Sequence, residues 1–174
     1  MADTIRVNRA PVLTLWAAVV AERLGFEREE ALTLGRALAG LTAHAKGVRL
    51  GIFEPSAPEG VRERRGRLAE GERLVVHLMG RTIPVVRTPE GLRALAKEQP
   101  TKPETVERYL AGKFGDALGE ARAAMETLAA SLPPGELARQ AFRLYEQFRP
   151  AVPSGEAGWG KAGVLDLAKF ASRP

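Results

Sequence analysis

Apolar residues recur every three or four positions along most of this chain, in blocks broken by glycine and proline. The first block is "PVLTLWAAVVAERLGF", residues 11–26. Val12, Leu15, Trp16, Val19, Val20 and Leu24 keep helical spacing there, with Leu13 beside them. Pro11 suits the opening turn of a helix, where its missing N–H would have no partner anyway. Gly25 is placed to end it. A second helix is predicted over "EREEALTLGRALAGLTAHAKG", with Leu34, Leu38 and Leu41 on one face. Glu27, Glu29 and Glu30 favour its positive N-terminal end. Gly35 and Gly40 weaken this helix but permit close backbone approach.

Residues 47–71 break the periodicity with prolines and glycines and carry "RERRGR", so a linker or a long loop is expected. "ERLVVHLMGRTIPVV" then reads as a hairpin. Leu74–Leu78 form one strand, Gly80-Arg81 the turn and Thr82–Val86 the return strand, which Pro84 assigns to an edge. Thr88 and Pro89 look like the cap and first residue of a short helix bearing Leu92, Leu95 and Ala96, stopped by Pro100. Another helix starts at Pro103 with Val106, Tyr109, Leu110 and Phe114 at helical spacing. Gly115 either breaks it or lets it run on to Leu132. Pro133-Pro134 precede the amphipathic "GELARQAFRLYEQF", and "VLDLAKFA" is expected to close the chain as a short helix. Residues 1–10 are expected to be loose or strand-like.

The resulting fold class is mainly α with one small β-hairpin, α+β if the hairpin is counted. Three stretches are expected: a helical hairpin over 1–46, a basic linker over 47–71, and a hairpin-plus-helices unit over 72–174, the whole compatible with one compact domain. A chain of 174 residues can bury a sizeable core without staples. Having no cysteine, it has no disulfide, thiolate zinc site, iron–sulfur cluster or cysteine nucleophile. With no secretory pattern and no apolar run near the roughly 20 residues of a membrane span, a cytoplasmic setting with no membrane contact is expected. The scarcity of Asn, Gln and Cys is in keeping with a thermophilic source.

Charge raises the question of nucleic acid. The net charge is +5, which permits DNA contact without establishing it. Residues 88–114 have the dimensions of a helix-turn-helix, with the preceding hairpin as a wing and Lys102, Thr105, Arg108 and Lys113 within reach of phosphates or base edges. Against this stand Glu104 and Glu107 on the same helix and a Pro-Thr-Lys-Pro turn in place of a glycine turn. Arg62, Arg64, Arg65 and Arg67 form the densest basic cluster, with Glu59, Glu63 and Glu70 close by in sequence to pair with them. The expected binding is therefore mainly electrostatic and sequence-independent. The first two helices could form a second helix-turn-helix, but three glutamates open the second of them. That pair reads better as a core element or as a homodimer surface.

Catalytic motifs are not found. "GEAGWGKA" approaches the phosphate-binding loop pattern at Gly155, Gly160 and Lys161, but Ala162 stands where a magnesium-binding hydroxyl belongs and no buried strand precedes it. A pocket near Trp159 and Lys161, serving a small-molecule enzyme or sensor, is a further reading. His44 and His77 are far apart and lack metal-site spacing, and no G-x-S-x-G elbow occurs. No catalytic residue, cofactor or metal is expected.

"NRAPVLTLWAAVVAERLGF…EALTLGRALAGL" and "LYEQFRPAVPSGEAGWG" resemble segments of a bacterial protein family, with fungal relatives, that has no assigned activity. The resemblance implies one coherent protein across most of the chain and brings no cofactor or catalytic residue with it.

Overall fold

The computed structural model describes residues 4–49, 73–96, 99–150, 162–167 and 170. Strand β1 (Thr4–Asn8) leads into helix α1 (Arg9–Arg23). Leu24 caps α1, and Gly25 follows at φ 113°. The Gly25 N–H donates to the Glu22 carbonyl at 3.1 Å and the Phe26 N–H to the Ala21 carbonyl at 3.0 Å. This pair of bonds satisfies two orphan carbonyls and turns the chain back sharply. Helix α2 (Arg28–Arg49) therefore runs alongside α1.

Every residue from Pro11 to Ala21 is buried. One face of α1 meets α2, and α4 (Leu118–Ala130) and α5 (Pro134–Phe148) pack against the rest. α1 is thus enclosed by this chain's own helices. At Gly35 the backbone of α2 approaches α1 closely. A Cβ there would lie 2.4 Å from the Thr14 carbonyl oxygen and 3.1 Å from the Ala18 nitrogen. Trp16 is fully buried, donates its indole N–H to the Ala141 carbonyl at 2.9 Å, and meets Phe148 edge-on with centroids 5.2 Å apart.

The expectation of a mainly α fold with one hairpin is corrected by two antiparallel sheets, which make the class a mixed α+β. The larger sheet has the order β2-β3-β4-β5, from β2 (Arg73–Leu78), β3 (Arg81–Thr88), β4 (Gly91–Ala96) and β5 (Gln99–Pro100). The smaller pairs β1 with β6 (Ala162–Asp166), in register Ile5↔Leu165 and Val7↔Gly163. The terminal "VLDL" is accordingly strand up to Asp166, not the start of a helix. Ile5, Val7 and Leu165 are buried while Arg6 and Val164 are exposed, the alternation of a half-buried ribbon.

Where the first helix of a helix-turn-helix is expected, the described residues form a turn and the strand β4 over Gly91–Ala96. The Thr88 hydroxyl donates to the Gly91 carbonyl at 2.7 Å and accepts the Glu90 N–H at 3.3 Å, so it closes a tight turn instead of capping a helix. Gly91, at φ 124°, opens the return strand. The described residues of this stretch therefore form a turn, strands and only then a helix, over Pro103–Phe114. The β2–β3 turn falls on Met79-Gly80, both at positive φ, one residue before the expected place.

Pro84 does not make β3 an edge strand. β3 lies between β2 and β4, and the β3–β4 register runs only from Val85↔Ala94 to Thr88↔Gly91. Pro84 sits one residue beyond that register, so its missing N–H removes no bond from the ladder. Helix α3 (Pro103–Phe114) begins with its proline. It breaks at Gly115, φ 58°, into a 3-10 turn (Gly115–Ala117) before α4.

Candidate functional site: a cleft between two helices and a sheet

α2 closes one side of the larger sheet through its side chains. The Glu30 carboxylate accepts the Glu27 N–H at 3.0 Å, completing half of a capping box at the helix start. Its other oxygen accepts the Leu92 N–H of β4 at 2.9 Å. One turn on, the Thr33 hydroxyl donates to the Glu30 carbonyl at 3.0 Å and accepts the Ala94 N–H at 3.1 Å. The Ala94 carbonyl takes the Thr101 N–H at 2.8 Å. The outer edge of β4 is thereby divided between α2 and the segment leading to α3, and both elements are fixed against the sheet.

This arrangement leaves an opening. Across from β4, Pro84 ends the β3–β4 ladder, and Pro84 and Leu95 both face the space where pairing would have continued. α2 and α3 wall the other sides. The resulting cleft has a volume of about 860 Å³. Its apolar lining comes from Ala37, Gly40 and Leu41 of α2, Pro84, Leu95 and Ala96 of the sheet, and Val106 of α3. Its polar lining comes from Arg36, Thr101, Thr105 and Tyr109. The Arg36 guanidinium carbon lies 4.6 Å from the centroid of the Tyr109 ring, a cation–π contact joining α2 to α3 at the cleft. Burial raises the Tyr109 phenol above its ordinary value and the charge of Arg36 offsets part of that, so the hydroxyl stays protonated at neutral pH. Gly40 leaves room as well: a Cβ there would meet nothing within 4 Å.

Of the expected cationic residues, the three that are described do not form one stripe. Lys102 caps α3, and Arg108 and Lys113 lie along it, all three exposed. At 3.6 residues per turn, Arg108 and Lys113 project about 140° apart on the helix, so they do not form one stripe. Glu104 lies one turn before Arg108 on the same side, and Glu107 pairs with Arg28 of α2 at 3.7 Å. Arg62, Arg64, Arg65 and Arg67 lie outside the described residues, as do Trp159 and Lys161. His77 is exposed and its Nδ1 lies 3.1 Å from the Thr82 hydroxyl. Among the described residues no three His, Asp or Glu side chains gather in a way that would hold a metal ion.

Sequence reasoning missed the cleft because its walls come from four elements distant in the chain. One local signal pointed to it. Gly40 weakens a helix in which the close α1–α2 approach is already provided by Gly35. Among the described residues no helix is long and apolar enough to cross a membrane. The chain matches no protein-family model, no curated protein and no solved structure.

Proposed function

We propose that this protein binds a small organic molecule in the cleft between α2, α3 and the larger sheet. The carrying observation is the make-up of that cleft. An apolar wall of several side chains surrounds a few convergent polar groups, in a volume within the range of roughly 300–1,000 Å³ usual for ligand sites. The wall would exclude water from an apolar body, while Arg36, Thr101, Thr105 and Tyr109 would orient it. The test is a thermal-shift screen of compact aromatic and aliphatic compounds against the wild type and Gly40→Leu. The leucine fills the cleft from a position with open space. Ligands of the cleft raise the melting temperature of the wild type and leave that of Gly40→Leu unchanged. Equal shifts in both proteins would place binding elsewhere.

Electrostatic association with DNA is a second reading. It is favoured by the exposure of Lys102, Arg108 and Lys113 and by the net charge of +5, and opposed by Glu104 and Glu107 on the same helix. Phosphate-dominated binding to a duplex must weaken steeply between low and moderate salt. Absence of binding even at low salt would eliminate it.

A further inference from the structure

We infer that the cleft's ligand is an amphipathic carboxylic acid, with its carboxylate on Arg36 and its apolar body along Leu41, Leu95 and Val106. This inference rests on the reading of the cleft as a ligand site.

The polar lining has a one-sided chemistry. Arg36 carries a positive charge, and the hydroxyls of Thr101, Thr105 and Tyr109 can all donate. Among the described residues no Asp or Glu lines the cleft. Among the described residues no carboxylate forms an ion pair with Arg36. A cationic ligand would therefore meet like charge with no acid among the described lining residues to compensate it.

The Arg36 guanidinium carbon lies over the Tyr109 ring, which holds the group at the cleft. Among the described residues none takes the guanidinium N–H donors in a hydrogen bond or ion pair, and a guanidinium is suited to the two-pronged contact that a planar carboxylate makes. A lone guanidinium matches a monoanion better than a dianionic phosphate ester. The apolar side chains argue for a hydrocarbon or aromatic body behind that head, because a small hydrophilic acid would leave them wetted. Gly40 and the interrupted ladder at Pro84 and Leu95 give that body its space.

The experiment is calorimetric titration of the full chain with decanoate and decylammonium below their micellar concentrations and decan-1-ol below its solubility limit, repeated on Arg36→Met and Arg36→Lys. Methionine keeps an apolar stem at this exposed position and removes the charge. The expected result is that decanoate binds at least tenfold tighter than decan-1-ol and decylammonium weakest. Arg36→Met brings decanoate down to the level of the alcohol and leaves the alcohol unchanged, and Arg36→Lys keeps part of the preference. If the alcohol and the acid bind the wild type within twofold of each other, or if Arg36→Met weakens both alike, the inference is overturned and the cleft still stands as a ligand site. If none of the three probes binds and the compound screen finds no other cleft ligand, the inference and the reading beneath it fall together.

Discussion

Single residues show how sharply the packing discriminates between positions of the same type. Gly35 and Gly40 are both helical glycines of α2, yet they do opposite things. At Gly35 an added methyl group would run into the backbone of α1, and neither helix can give way without disturbing the buried stretch from Pro11 to Ala21. At Gly40 it would stand in open space. Gly35→Ala is expected to destabilise the protein by about 1–3 kcal/mol through overpacking. Gly40→Ala is expected to stabilise it by roughly 0.5–1 kcal/mol through helix propensity. Urea unfolding of the two variants beside the wild type checks both, and changes of the same sign would refute this view of the α1–α2 contact. The sequence alone marked both glycines as weakening the helix and admitting close approach; only the neighbours in space separate the two roles.

Secondary-structure elements were legible where one periodicity had no rival. α1 and α5 carry apolar residues at helical spacing over about four turns; burial follows that spacing in α5, while α1 is buried on all sides from Pro11 to Ala21. β4 was not legible. Leu92, Leu95 and Ala96 suit one helical face, and Thr88-Pro89 imitates a helix start. The competing outcome is decided by distant partners, namely pairing with β3 and the acceptors that Glu30 and Thr33 offer to the Leu92 and Ala94 N–H groups. β6 was misread for the same reason, since its partner is the far end of the chain. Thr33→Val leaves the buried Ala94 N–H without an acceptor and is expected to cost about 1–3 kcal/mol. Glu30→Ala removes two acceptor contacts and is expected to cost about 1–2 kcal/mol. In hydrogen exchange, the Ala94 amide should lose protection in Thr33→Val and the Leu92 amide in Glu30→Ala. Unchanged exchange at both would mean that α2 does not hold the edge of β4.

At the scale of the whole molecule, buried aromatic groups tie stability to alkaline pH. Burial pushes the Tyr145 phenol far up, with Arg149 and Arg9 offsetting part of the effect. Its hydroxyl donates to the Arg9 carbonyl at 3.3 Å. Burial raises Tyr109 as well. The unfolded chain releases these protons near pH 10 while the folded chain retains them. Their contribution is therefore fully present below pH of about 10 and is lost as pH rises through that value and beyond. Unfolding free energy measured at a series of alkaline pH values should fall with a slope that Tyr145→Phe reduces. Equal slopes in the two proteins would contradict the assignment.

The cleft belongs to the same scale, because α2, two strands and α3 must come together to make it, and no segment carries its signature alone. Its standing as a binding site is tested most directly by a nitrogen-15 NMR titration of the wild type with decanoate. The expected result is saturable shifts confined to the amides of Arg36, Leu41, Ala96, Val106 and Tyr109 and their immediate neighbours, absent in Gly40→Leu. Shifts spread evenly over the surface, or shifts that persist when leucine fills the cleft, would contradict it.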